Sequence, residues 1–334
     1  MMPACSFPPS LQRLALLVIL SLALPACAEH YDDHPAAAAF IDQLVVEDGF
    51  EREPLEALFA RAERQESILE AIARPAEKTR PWHEYRDIFL TDRRIDEGIA
   101  FLAEHRDTLA AAEAESGVPA PVIVAVLGVE TYYGRITGSY AVIDALATLA
   151  FDYPPRAPFF RRELRHFLLL AREQGLDPAS LEGSYAGAMG YGQFMPSSYR
   201  SYAVDFDGDG LADIWNNPAD AIGSVANYLA RHGWRPGEPV ASRATLAAPV
   251  PADWFDDDLD AERTVAELAA GGLVAGRDLP ADAPALALAL QGADGPEYWI
   301  GLPNFYVITR YNHSALYAMA VYQLSERLRA GAGA

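Results

Sequence analysis

The stretch Val118–Gly134, VPAPVIVAVLGVETYYG, has no polar side that a surface helix could turn toward water. Pro119 and Pro121 suit the first turn of a helix, where a missing N–H costs nothing. Every residue from Val122 to Leu127 is apolar, so the helix predicted here is buried on all sides, inside a largely helical protein. It runs out at Glu130. A carboxylate there is disfavoured twice, by scarce water and by the partial negative charge at a helix's carbonyl end. Both effects favour the neutral acid, which is what a general acid working near neutrality requires. A helix-terminal Glu pointing into solvent is the alternative, and this residue alone does not choose between them.

Working outward, residues 35–112 carry a helical period. Phe40, Ile41, Leu44 and Val45 recur at spacings of three and four, as do Leu55, Leu58 and Phe59, and Ile99, Phe101, Leu102 and Leu109 continue it. Pro75 and Pro81 predict a bend around Trp82. Beyond the buried helix, Phe160–Gln174 places Leu164, Phe167, Leu168 and Ala171 on one face, and Gly175 ends it. Residues 183–198 read as a glycine-rich loop leading into a short helix, and 220–232 and 317–328 as helices. Between Pro236 and Leu302 the character changes, with short strands predicted at Ala287–Leu290 and Tyr298–Ile300. The fold class expected is α+β, predominantly helical. Its segments are a signal peptide (1–26), a helical N-terminal region (27–112), a helical core (113–235), a small β-type subdomain (236–302) and a C-terminal segment (303–334) returning to the core.

Composition excludes two kinds of partner. The 334 residues hold 26 Lys plus Arg against 47 Asp plus Glu, a net charge of −21. A charge this negative argues against a nucleic-acid binder, which needs a cationic surface to displace counterions, and against polybasic docking on anionic headgroups. The only cysteines are Cys5 and Cys27, so no disulfide or thiolate metal site braces the body. Leu14–Leu24 (LALLVILSLAL), with Arg13 before it, has the length and character of a signal h-region. Leu24-Pro25-Ala26-Cys27 follows and resembles a lipobox, which makes Cys27 the predicted lipidation site and Ala28 a residue favouring the outer membrane. Cleavage of an ordinary signal peptide nearby is the other reading.

Several chemistries have no motif here: there is no phosphate-binding P-loop, no GxSxG elbow and no HExxH helix. Two clusters remain. Residues 184–198 interleave small residues with aromatics, so a polymer backbone can approach closely while rings stack on sugars. Residues 304–314 are again aromatic plus amide, and core packing explains such residues equally well. A third element, DFDGDGLADIWN (205–216), follows the start of an EF-hand loop. Asp205, Asp207, Asp209 and Asp213 stand at positions one, three, five and nine, Gly210 at six, and the Leu211 carbonyl at seven. Asn216 replaces the usual Glu at twelve, and Asp220 offers the last carboxylate through a longer loop. Carboxylates so gathered repel one another without a cation, and a hard one such as Ca²⁺ fits, as a brace rather than a catalyst.

With these residues assembled, the chain resembles the B family of membrane-bound lytic murein transglycosylases. The motifs are GVETYYG (128–134), SYAGAMGYGQFMPSSY (184–199), DFDGDG (205–210) with NPADAIGSVANYL (217–229), and NFYVITRYNHSALYAMAVYQL (304–324). The resemblance implies a lysozyme-like catalytic core with a helical N-terminal region and a small β domain. By position, Glu130 corresponds to the sole catalytic acid. Ser184, Gln193, Phe194, Tyr311, Asn312 and Tyr317 correspond to residues around the acid or along the glycan groove, with Tyr85, Arg156 and Tyr228 as further groove residues. Asp205, Asp207, Asp209, the Leu211 carbonyl and Asp220 correspond to a structural Ca²⁺ loop, and catalysis needs no cofactor. Pro155 stands where that family pattern leads one to expect a second arginine, and the loop is one residue longer around Asn216-Asn217. The implied reaction cleaves the β-1,4 bond between N-acetylmuramic acid and N-acetylglucosamine and leaves 1,6-anhydro ends. The implied setting is the periplasm of a Gram-negative bacterium, on the outer membrane through the lipid anchor, with glycan strands as substrate, cell-wall synthases as candidate partners and no nucleic acid. A hydrolytic muramidase and a non-catalytic peptidoglycan-binding lipoprotein are the alternatives.

Overall fold

The structure, a computed structural model, describes residues 30–73, 80–255, 259 and 261–333. The signal segment, Cys27 and Pro75 lie outside the described residues. The predominantly helical α+β architecture expected from the sequence is the one found. Helices α1 (Pro35–Asp48) and α2 (Arg52–Phe59) pack together, and α3 (Glu66–Ile72) lies on a later helix of the core. After Pro81, α4 (Trp82–Phe89) starts with Trp82 fully buried. Then come α5 (Asp92–Glu104), capped by the Thr91 hydroxyl, and α6 (Arg106–Ser116), which ends on left-handed Gly117.

The apolar stretch forms α7 (Ala120–Thr131), with nine of its twelve residues buried. Burial of each large aliphatic side chain there contributes about 1.5–3 kcal/mol. The sides are filled by α5, α6 and two later helices, α11 (Pro218–Arg231) and α14 (Ala315–Ala332). Between them run β1 (Tyr140–Ala141), α8 (Val142–Phe151), α9 (Ala157–Gln174), β2 (Glu182–Gly183) and α10 (Pro196–Tyr202), with β1 and β2 paired antiparallel. Helix α8 has no counterpart in the sequence reading. It buries every residue but Asp144, so no polar face gives its sequence a period.

The segment 236–302 is a five-stranded antiparallel sheet, more extensive than the two strands expected. Its strands are β3 (Ala241–Leu246), β4 (Arg263–Thr264), β5 (Leu273–Ala275), β6 (Pro284–Gly292) and β7 (Gly295–Gly301), in the order β4-β6-β7-β3-β5. A short helix, α12 (Val265–Ala270), crosses it behind a Thr264/Glu267 capping box. Strand β6 decides how the sheet is mounted. Its sequence alternates Ala and Leu, and alternate residues point to opposite faces. Leu286, Leu288 and Leu290 join the main helical core, while Ala285 and Ala287 join the sheet's own cluster with Val265, Leu268, Leu273 and Ile300. From β7 the chain returns through α13 (Pro303–Thr309) to α14.

Candidate active site

Glu130 occupies the last turn of α7, and the chain reverses directly behind it. Tyr132 and Tyr133 have φ of 55° and 62°, and with Gln193 at 49° they are the non-glycine residues of left-handed backbone among the described residues. That conformation costs an L-residue roughly 1–3 kcal/mol and persists where its surroundings over-determine it. Here the Tyr133 N–H donates to the Leu127 carbonyl at 3.1 Å, and the Tyr132 N–H to Gly128 at 3.2 Å. The Thr131 hydroxyl donates to the Tyr191 carbonyl at 2.8 Å and accepts the Gly134 N–H at 2.9 Å. Gly134 is itself left-handed, and a Cβ on it would stand 2.3 Å from the Tyr191 ring. The carbonyl end of α7 is not left as a bare negative pole, because Arg94 Nη1 donates to the Gly128 carbonyl at 2.9 Å.

A groove of about 1050 Å³ opens in front of Glu130. One side comes from the helical core and the 184–195 loop, the other from Leu288–Gln291 of β6. Among the described residues, Glu130 is the only carboxylate lining it, whereas Arg80, Arg156 and His313 are its basic groups. Asp144 and Asp152, the more distant acids, are engaged elsewhere. Asp152 accepts the Tyr31 hydroxyl at 2.7 Å. Asp144 accepts the Glu63 N–H at 2.9 Å, and burial holds its carboxyl above the usual range.

The residues anticipated from the sequence fall into two layers. Arg156, Ser184, Gln193, Tyr311 and Asn312 line the groove, and Tyr85, Phe194, Tyr228 and Tyr317 are buried and do not. Tyr317 is nevertheless in direct contact with the acid, its hydroxyl donating to Glu130 Oε1 at 2.6 Å. It sits in the first turn of α14, where the Ser314 hydroxyl accepts its N–H at 3.3 Å. Tyr311 is parallel to it, rings 6.4 Å apart, and donates to the Gly192 carbonyl at 2.5 Å. Burial first, then the charge of Glu130, pushes both phenols well above the usual tyrosine range. Both therefore stay protonated donors. Tyr228 donates to the Arg310 carbonyl at 2.5 Å and packs with Phe194 and Tyr311, and burial raises its hydroxyl to about 12.

Polar groups on the groove wall mostly brace loops. The Ser184 hydroxyl accepts the N–H groups of Ala186 and Ala188 at 3.3 and 3.1 Å. Gln193 Nε2 donates to the carbonyls of Thr137 and Gly190, both at 3.0 Å. Arg156 lies over Phe159 and Phe160, 4.5 and 5.1 Å from their ring centres, a planar cation held on aromatic faces at the groove edge.

A family model described as the transglycosylase SLT domain matches residues 32–326. Over 305 residues the chain is 45% identical to membrane-bound lytic murein transglycosylase B of Escherichia coli K12, covering 89% of this chain and 83% of that one. The chain belongs to the lytic murein transglycosylases. It is a peptidoglycan-cleaving lyase, and its helical α+β fold is that of the family's solved structures. The transglycosylase aligns with the lytic transglycosylase SltB1 of Pseudomonas aeruginosa at a TM-score of 0.87 and 54% identity, over 91% of this chain and 100% of that one. With E. coli Slt35 in complex with calcium the TM-score is 0.83 at 44% identity, over 91% and 96% of the two chains.

The transglycosylase's acidic loop has the donor chemistry for such a cation. Asp205, Asp207 and Asp209 are exposed and each turns one carboxylate oxygen to within 4.8 Å of the others. The loop is pre-shaped by its first residue, whose carboxylate accepts the N–H groups of Gly208, Asp209 and Gly210 at 2.8, 3.0 and 2.8 Å. Asp220 stands outside this exposed cluster. It is fully buried, and its two oxygens accept the N–H groups of Phe206 and Asp213 at 2.7 and 2.8 Å, tying the two ends of the loop to α11. Sequence reasoning also passed over Arg94 and Thr131, which shape the end of α7, and the Leu288–Gln291 wall. Spacing alone carries no signal for contacts 34 to 60 residues apart, such as Arg94 with Gly128 and Thr131 with Tyr191.

Proposed function

We propose that Glu130 makes both proton transfers of a transglycosylation that cleaves the β-1,4 bond between N-acetylmuramic acid and N-acetylglucosamine. The observation that carries this reading is that Glu130 is the single groove carboxylate among the described residues, with a tyrosine hydroxyl 2.6 Å from it. Glycosidases that retain or invert need two carboxylates; the transglycosylase scheme needs one. Tyr317 donates to Oε1, so the acid's own proton sits on Oε2. That proton passes to the glycosidic oxygen as the bond to C1 breaks. The carboxylate left behind takes the C6 hydroxyl proton as O6 closes on C1, and no water is consumed. A donor on the carboxylate favours its ionised form, which Tyr317 supplies for the second half. Arg156, Ser184, Gln193, Tyr311 and Asn312 face the glycan, and Tyr85, Phe194 and Tyr228 form the support behind them. The reading is tested by mass spectrometry of fragments released from purified sacculi: 1,6-anhydro-muramoyl ends are expected, and water-added reducing ends would replace this reaction with hydrolysis.

Replacing Tyr317 by Phe is expected to lower kcat about ten- to hundredfold, since a hydrogen bond to a charged group is worth roughly 1.5–3 kcal/mol. KM should change little. Initial rates of muropeptide release check this, and an unchanged kcat would remove Tyr317 from the proton-transfer scheme.

The loop of Asp205, Asp207, Asp209 and the Leu211 carbonyl, with Asp220 as the further carboxylate, is the proposed Ca²⁺ site, supported by the donor cluster and by the calcium complex of Slt35. Its role is structural. A cation at one hundred times its Kd stabilises the folded state by about 2.7 kcal/mol, so melting should rise by roughly 5 °C. Asp205→Ala should abolish both the rise and the calorimetric binding signal, and a variant that keeps either would place the ion elsewhere.

The body formed by 113–235 and 303–334 is the proposed catalytic unit, with 27–112 and 236–302 added to it. Lipidation at Cys27 and an outer-membrane position in a Gram-negative periplasm follow from the lipobox and from the membrane-bound character of the E. coli relative. Cell-wall synthases are the proposed protein partners.

A further inference from the structure

We infer that Arg94, on a helix outside the four sequence motifs, is a positioning residue for Glu130. The inference rests on the assignment of Glu130 as the acid. Arg94 lies in the first turn of α5, its N–H bonded to the Thr91 hydroxyl at 3.2 Å. It meets the end of α7 in three ways. Nη1 donates to the Gly128 carbonyl, two residues before Glu130, at 2.9 Å. The guanidinium covers Tyr132, two residues after it, 4.5 Å from the ring centre, with Phe89 at 5.2 Å on the same group. Its backbone carbonyl accepts the Tyr133 hydroxyl at 2.8 Å. One residue therefore brackets Glu130 on both sides and holds both left-handed tyrosines.

The neighbourhood is arranged around these contacts. Gly98, one turn further along α5, leaves room for the Tyr133 ring; a Cβ there would stand 2.3 Å from its hydroxyl oxygen. The nearby carboxylate of Glu97 bonds instead to Arg93 and Arg135, at 3.0 and 2.8 Å. Among the described residues Arg94 makes no ion pair, so its charge faces the carbonyl pole of α7. A half-buried guanidinium without a carboxylate is costly unless other groups satisfy it. Here the helix end takes Nη1 and two aromatic faces cover the plane, while Nε is buried without a hydrogen-bond partner. The lever is geometric, because an acid displaced by about 1 Å can lose two orders of magnitude in rate.

The test uses the full chain with Arg94→Met, Arg94→Lys and Tyr133→Phe, measuring kcat and KM on soluble glycan chains well below the melting temperature of each variant. Arg94→Met is expected to lower kcat about ten- to hundredfold with KM within about threefold. Arg94→Lys should recover part of the loss, since it restores a charged donor to Gly128 but not the stacked plane. Tyr133→Phe should give a smaller loss of the same kind, and with Arg94→Lys it carries the test if the Met variant does not fold. A purely structural role would lower the melting temperature and leave kcat per folded molecule unchanged. That result, a loss confined to KM, or a Lys variant no better than Met would overturn the inference. Glu130→Gln run in parallel separates the two assignments: if it stays active, the acid itself is misassigned.

Discussion

Glu130→Gln is expected to cut the release of soluble fragments from sacculi by about a thousandfold or more. General acid–base catalysis by one group is typically worth 10²–10⁴ in rate, and in the proposed reaction one carboxylate serves both the departing oxygen and the attacking one. An amide can neither give nor take those protons. The fold should be nearly indifferent: the amide oxygen still accepts from Tyr317, whose hydroxyl lies 2.6 Å away and stays protonated. Melting within about 2 °C of the parent is expected, consistent with a change of about 1 kcal/mol or less in a chain of this size. Co-sedimentation with sacculi should also persist, since the groove keeps its shape and its basic groups. Liquid chromatography with mass spectrometry reads the outcome directly, as disappearance of anhydro-muramoyl ends. A variant retaining a tenth of the parental rate would require another acid, and no other carboxylate lines the groove among the described residues.

How far the sequence reaches can be judged element by element. Helix α7 was legible because a run with no polar face has one place to go, and its two prolines mark the start. The strands of 236–302 were legible in kind but not in extent. Alternating Ala and Leu in β6 gives both faces an apolar residue, so the binary pattern that marks a half-exposed strand is missing. Helix α8 is as apolar but has no proline in its first turn to mark a start, so nothing in its sequence separates it from a buried strand. In the site, residue type was legible and orientation was not. Asp220 reads from spacing as a cation ligand, and nothing in that spacing shows that its oxygens also accept the backbone N–H groups of Phe206 and Asp213. Tyr85, Phe194 and Tyr228 are anticipated beside the glycan, and they are buried behind the residues that line the groove. Spacing places a side chain on an element; only packing decides which way it turns.

Asn304 makes the same point with the largest stability effect. As part of an aromatic and amide stretch it could equally have been a sugar contact or part of the core. It is fully buried, and its amide is committed to backbone. The Arg235 N–H donates to its Oδ1 at 2.8 Å, while its Nδ2 donates to the carbonyls of Arg235 and Glu238, both at 2.9 Å. The side chain thus stands in for a neighbouring strand, pinning the turn after α11 to the start of α13. Asn304→Ala removes three bonds at once and strands buried backbone groups without partners. At roughly 1 kcal/mol for each, and more where a group stays dry, the expected cost is about 3 kcal/mol or more, and thermal melting should fall by roughly 6 °C. Asn304→Asp should be nearly as damaging, because a carboxylate accepts from Arg235 but offers no donor to the two carbonyls. A melting temperature within about 1 °C of the parent in both variants would mean that the turn finds its partners elsewhere. The loss also has a route to the site. Helix α13 leads straight into Arg310 and Tyr311, whose anchors are the Tyr228 hydroxyl and the Gly192 carbonyl. Those two contacts do not involve Asn304, so at 25 °C the folded fraction should keep its rate, and activity should fail only as the melting transition is approached.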